Sequence, residues 1–232
     1  MGEMFVDGMT SGMYMIVGGD PELWGIVLLS LRCTLVACLA ASCIGLPVAF
    51  FLTNNTFPGK RLVILVLNTL QSVPTTVIGL LLYILISRRG LLGEFGLLYS
   101  PAAISLGQFF LILPLVTMFV LAALSRLDYR YRQTALTLGA SELQAAVAVV
   151  REGRFAIVAA LCAAFGRGIA EVGIAMMLGG NIKGVTRTMT TAMALEYNKG
   201  EFPLALALGV VLLLVSFSLN AVLSFVQGKL EQ

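Results

Sequence analysis

Along the chain, long apolar runs alternate with short polar ones, and the spacing of the two predicts the architecture. Five apolar runs, at about 23–52, 62–87, 102–124, 155–178 and 203–226, reach or exceed the ~20 residues a helix needs to cross a bilayer. They predict an all-α integral membrane protein of about five transmembrane helices, with residues 20–227 forming one transmembrane domain. Asp20-Pro21-Glu22 marks the start of the first span. Aspartate can cap a helix, proline suits its first turn, and glutamate favours the positive end of the dipole. Trp24 sits where an interfacial anchor belongs. Residues 1–19 carry no lysine or arginine and no continuous apolar core, so they do not read as a secretory signal. They read as a tail or a short interfacial helix.

The polar interruptions inside the spans are as informative as the spans. Arg32 lies about 13 Å into the first one at 1.5 Å rise per residue. A cation at that depth either faces the bundle interior or snorkels from a tilted helix. The second span holds Gln71-Ser72-Val73-Pro74-Thr75-Thr76 near its middle. Proline removes a helix hydrogen bond there, and hydroxyls can satisfy the freed groups. Such a kinked polar midpoint serves a solute path or, alternatively, packing alone. Pro114 predicts a kink in the third span.

Composition supports the membrane reading and removes several functions. Hydrophobic residues make up 59% of the 232 residues and charged residues 12%, against about 25% charged in soluble domains. A net charge of +3, concentrated in one loop, gives no case for nucleic acid. Cys33, Cys38, Cys43 and Cys162 all fall in apolar runs without a CxxC pair, and the chain has no histidine. Neither a metal centre nor a cofactor is predicted, and the usual general base is missing. No GxxxxGK[ST] occurs, so the chain is not read as an enzyme and any nucleotide hydrolysis belongs to a partner.

Residues 126–154 are the long polar segment, with Arg126, Arg130, Arg132, Arg151 and Arg154. Gln133-Thr134-Ala135 is followed, after three residues, by Gly139-Ala140-Ser141. Small residues at Ala135, Gly139 and Ala140 admit a partner backbone, and glycine tolerates a tight turn; the plainer alternative is an ordinary loop hairpin. Placing this segment in the cytoplasm also puts Lys60, Arg61 and Lys229 there. About eight loop cations then lie inside against about five outside. The expected orientation is N-terminus out and C-terminus in, with residues 1–19 extracytoplasmic and 228–232 a cytoplasmic tail.

A second constellation runs from Phe165 to Phe202. Arg167 and Glu171 stand four apart and share a helix face, where each can neutralise the other. Glycines at 166, 168 and 173 allow close packing, and Gly179-Gly180-Asn181 suits a left-handed helix end. Lys183, Thr186, Arg187, Thr188, Thr190 and Thr191 then offer cations and hydroxyls, donors that match a tetrahedral oxyanion. An outer loop with caps and a structural ion pair is the alternative.

The loop spacing resembles the EAA loop of ABC-importer permeases, and the second constellation resembles the permeases of tungstate-uptake importers. Arg167, Glu171, Gly173 and Gly180-Asn181-Ile182 follow the order seen in the wider molybdate and sulfate group. Thr186-Arg187-Thr188-Met189-Thr190-Thr191-Ala192, Leu195-Glu196 and Lys199-Gly200-Glu201-Phe202 point to the tungstate branch. The resemblance implies a type I ABC-importer (MetI-like) permease fold in the cell membrane. It also implies a homodimer, an ABC ATPase subunit beneath it and an extracytoplasmic oxyanion-binding protein above. Gln133, Ala135, Gly139, Ala140 and Ser141 become the ATPase-coupling loop. Thr75, Thr76, Arg167, Asn181 and Arg187 are expected near the translocation path, with Glu171 restraining Arg167. Two departures stand out: Gln133-Thr134-Ala135 replaces Glu-Ala-Ala, and Arg151-Glu152 replaces a common Leu-Pro. Molybdate or sulfate is the alternative cargo. An ATP-independent secondary transporter is the alternative class, for which Glu171 alone supplies an intramembrane carboxylate.

Overall fold

A computed structural model describes residues 2–127 and 130–228. Among the described residues the chain forms ten α-helices and no strand. In order they are α1 (Gly2–Val17), α2 (Pro21–Asn54), α3 (Lys60–Ser72), α4 (Thr75–Ile86), α5 (Pro101–Leu124), α6 (Arg130–Thr137), α7 (Glu142–Glu152), α8 (Arg154–Ile169), α9 (Met189–Lys199) and α10 (Phe202–Gly228). Three stretches, Pro21–Asn54, Pro101–Leu124 and Phe202–Ser224, are long and apolar enough to cross a membrane as single helices.

The bundle is built on α2 against α5. Asp20 caps α2 as expected, accepting a hydrogen bond from Leu23 N at 2.9 Å. The buried face of α2 recurs every three or four residues and turns small along its middle, through Cys33, Thr34, Ala37, Cys38, Ala41, Ser42, Gly45 and Ala49. In a bilayer, apolar side chains gain nothing by leaving lipid, so close backbone packing of small residues supplies the attraction. Ile112, Val116, Val120 and Leu124 of α5 fill that face, joined by Ile157, Ala160 and Ala164 of α8. A second core joins the start of α2 to α9 and α10 through Leu23, Ile26, Val27, Met189, Ala192 and Leu208. The opposite faces stay apolar yet uncovered: Leu28, Leu39, Leu65, Leu213 and Phe217 are each more than half exposed. Water would not tolerate that much exposed hydrocarbon on one chain; lipid does.

Several expectations change in detail. The N-terminal segment is helical, and Gly12 lets α1 rest on α10: a Cβ there would meet Pro203 O at 2.9 Å. The second span is two helices meeting at 98° across Val73-Pro74, a sharper break than a kink. The fourth span is not one helix over 155–178. It ends at Ile169, breaks at residues 170–172, and resumes as a short segment with π geometry over Ala175–Gly179. The segment 179–202, read as polar loop, contains α9, which Thr188 and Thr191 start with a capping box. Lys229 and Glu231 of the expected C-terminal tail lie outside the described residues.

Candidate functional site

Breaking a helix inside a bilayer exposes backbone groups that no water can satisfy, and the break after α8 shows how this chain manages. The carbonyl of Gly168 accepts from the Gln108 side chain at 3.1 Å, reaching across from α5. The carbonyl of Glu171 accepts from Thr190 Oγ1 of α9 at 2.7 Å. Glu171 itself, 3% exposed, works as a cap: its Oε1 accepts from Ile174 N at 3.1 Å. Its Oε2 receives Arg167 Nη1 at 3.3 Å, in the expected i,i+4 pair. Arg167 is half exposed, so one end of this pair is buried and the other faces open space.

Gly173 is the point where the expected residues converge. A Cβ there would stand 3.1 Å from Thr75 Oγ1, 3.2 Å from Thr76 Cγ2 and 3.3 Å from Glu171 Oε1. The break between α3 and α4 therefore lies against the break after α8. Two interrupted helices meet around one missing side chain, one with the Thr75 hydroxyl and the Thr76 methyl, the other with the Glu171 carboxylate. Gly107 of α5 lies beneath, where a Cβ would fall 2.2 Å from Ile174 Cγ2.

Asn181 and Arg187 are placed differently. Gly180 and Asn181 both adopt positive φ, 70° and 51°, as a left-handed helix end requires. Asn181 Nδ2 then donates to Thr191 O at 3.3 Å, which ties the turn to α9. Arg187 is held at the start of α2, with Nη1 3.5 Å from Glu22 and 3.8 Å from Glu196. Lys183 joins Glu22 at 2.6 Å, and Lys199 joins Glu196 at 3.0 Å. The six expected path residues thus divide: Thr75, Thr76 and Glu171 meet around Gly173 with Arg167 paired to Glu171, Asn181 fastens the loop, and Arg187 belongs to an ion-pair cluster at the start of α2. Sequence reading missed Gln108 and gave no role to Ser30, whose Oγ accepts from Met189 N at 2.8 Å. An isolated glutamine in an apolar span was the available signal.

The polar loop forms a helical hairpin. The α6 helix ends in a Schellman motif, with Ala140 N donating to Ala135 O and Gly139 N to Leu136 O, both at 3.0 Å. Gly139 takes φ +86°, a left-handed turn that a side chain would strain. Ser141 caps α7 with a full capping box to Gln144. Arg132 crosses to Glu142 at 2.6 Å. The hairpin is anchored by Ala145 and Val149, which are buried, while Gln133, Gly139 and Ser141 are exposed and Ala135 and Ala140 half-buried.

A helical chain with lipid-compatible outer faces, paired helix breaks inside and a self-capped hairpin at one end has the build of a membrane transport component. Residues 41–232 match the family described as binding-protein-dependent transport system inner membrane component, and the chain belongs to that family. It is therefore a multi-pass inner-membrane permease component. It is 36% identical over 227 residues to a tungstate uptake system permease protein of Peptoclostridium acidaminophilum, covering 98% of this chain and all of that one. It is 38% identical over 226 residues to the tungstate uptake system permease protein of Campylobacter jejuni, covering 97% of this chain and 93% of that one. Its fold is that of a chain in an inward-facing structure of the MetNI methionine ABC transporter. The TM-score is 0.68 at 19% identity, over 89% of this chain and 98% of that one. The expected permease fold is borne out.

Proposed function

We propose that this chain is the membrane-spanning subunit of an ATP-driven oxyanion importer, with tungstate as its cargo. The observation that carries the reading is Arg167: a half-exposed guanidinium held by a buried carboxylate, beside a second broken helix that brings Thr75 and Thr76. A tetrahedral oxyanion is recognised by such donors. Glu171 repels the anion and serves as the restraint on Arg167. The near full-length similarity to two tungstate uptake permeases supports the choice of cargo. Molybdate and sulfate present the same tetrahedral outline and charge, so a binding protein outside the membrane makes the selection.

Two copies of the chain form the path between them. In support, α3 buries none of its residues, leaving Leu62, Leu65, Val66 and Leu70 uncovered beside the Thr75–Thr76 break. Two ATPase subunits grip the α6–α7 hairpins at Gln133, Ala135, Gly139, Ala140 and Ser141. Their closure on ATP rocks the helices from inward- to outward-facing, with the chain N-terminus out and C-terminus in. The test is uptake by the reconstituted importer carrying Arg167→Gln. Uptake is expected to fall by roughly tenfold or more, the loss of one charge-assisted contact, with the complex still assembled. Uptake equal to wild type removes Arg167 from the path.

A further inference from the structure

The ion-pair cluster at the start of α2 is more than a clamp. Between the first turns of α2 and the loop 182–187 lies a cavity of about 340 Å³, lined by Glu22, Gly25, Leu29, Arg32, Lys183 and Arg187 among others. Three cations line it against one lining carboxylate, Glu22, which is shared between Lys183 and Arg187; Arg187 also stands 3.8 Å from Glu196 outside the cavity. Arg187 is 9% exposed and its Nε is buried without a hydrogen-bond partner. An unsatisfied buried donor on a charged group is costly, so such groups are ordinarily completed by something. Arg32 has no ion-pair partner among the described residues. A lone guanidinium in an otherwise apolar helix is likewise expensive. The positive end of the long α2 dipole opens on the same corner, through Pro21, Glu22 and Gly25.

From this arrangement we infer a second anion site, which takes a tetrahedral oxyanion between Arg32, Lys183 and Arg187. Its oxygens would accept from the Arg187 guanidinium and from the Arg32 fork, while Lys183 adds a mobile point charge. Glu22 holds the cations in place when the site is empty and competes with the anion when it is filled. None of these residues takes part in the Arg167–Glu171 break. The inference goes beyond the importer reading and does not rest on it. The chemistry has two sources, a free oxyanion or the phosphate of an anionic lipid. The apolar wall of Leu28 and Leu29, with Leu28 68% exposed, leaves the cavity open to a lipid headgroup as well as to solvent.

Full-length protein in a maltoside detergent, which contains no phosphate, separates these sources. One arm titrates tungstate and inorganic phosphate by calorimetry; the other adds phosphatidylglycerol and counts bound lipid by native mass spectrometry. Wild-type protein is expected to bind in at least one arm. The double substitution Arg32→Gln with Lys183→Gln, at exposed positions, is expected to weaken that binding by roughly tenfold or more, while Lys60→Gln, at the start of α3, keeps it. Glu22→Gln removes the competing carboxylate and is expected to tighten binding several-fold, a gain that misfolding cannot imitate. Saturation with the free anion identifies solute as the ligand, and a retained lipid adduct identifies the membrane. Absence of binding in both arms, or equal affinity in wild type, the double variant and Glu22→Gln, overturns the site.

Discussion

The break after α8 and the turn between α6 and α7 both interrupt a helix, and the chain handles them in opposite ways. At the break, satisfaction comes from far away. Gln108 reaches Gly168 from 60 residues off and Thr190 reaches Glu171 from 19, beside local bonds from Glu171 N to Gly168 O and from Ile174 N to the Glu171 side chain. At the hairpin, the caps are local. The Schellman bonds, the Ser141–Gln144 capping box and the Arg132–Glu142 pair all fall within about ten residues of sequence. Lipid and protein surround the break, so each freed backbone group needs a protein donor or acceptor. The hairpin exposes Gln133, Gly139 and Ser141 and needs only local caps. Local capping makes a module that keeps its shape while its surface stays exposed. Long-range capping makes a site whose geometry depends on the whole bundle.

Substitutions can break that contrast. The largest effect is expected from Gly107→Val, whose Cβ would lie 2.2 Å from Ile174 Cγ2. Overpacking of this kind costs about 3 kcal/mol or more, read as a large drop in detergent melting temperature or loss of folded protein. Glu171→Ala should follow, at about 2 kcal/mol, for a buried cap removed and Arg167 released. Glu171→Gln retains an acceptor for Ile174 N and is expected to recover part of that stability. Gly139→Val ought to cost only the hairpin about 1–2 kcal/mol, since its φ of +86° resists a side chain. The bundle should then melt as in wild type while the ATPase no longer co-purifies. Arg132→Gln is expected to be smallest, below about 1 kcal/mol, because Glu142 is 73% exposed and the pair is solvent-screened. If Gly139→Val lowers bundle stability as much as Glu171→Ala does, the local-versus-distant distinction fails.

The same contrast explains what could be read from the sequence. Local signals held: the Asp20 cap, the left-handed Gly180-Asn181 end and the Gly139 turn all occur where residue chemistry places them. So did the long apolar periods of α2, α5 and α10. The end of α8 at Ile169 was not legible, since the four-residue spacing of Arg167 and Glu171 fits a continuous helix equally well, whereas the helix stops where Glu171 captures Ile174 N. Nor was the placing of Arg187, whose partner Glu22 stands 165 residues away and read as a favourable charge at a helix start. Arg167 and Glu171 could be paired by spacing alone, but the meeting of Glu171 with Thr75 and Thr76 depends on two helix breaks packing together.

The most direct test of the central claim is ATP hydrolysis in proteoliposomes holding this chain and its ATPase, as the cognate binding protein is added with tungstate. Hydrolysis is predicted to rise with loaded binding protein in wild type and to stay flat with Gly139→Val. A chain that brings no ATPase into the liposomes, or hydrolysis indifferent to both binding protein and hairpin, would contradict the account.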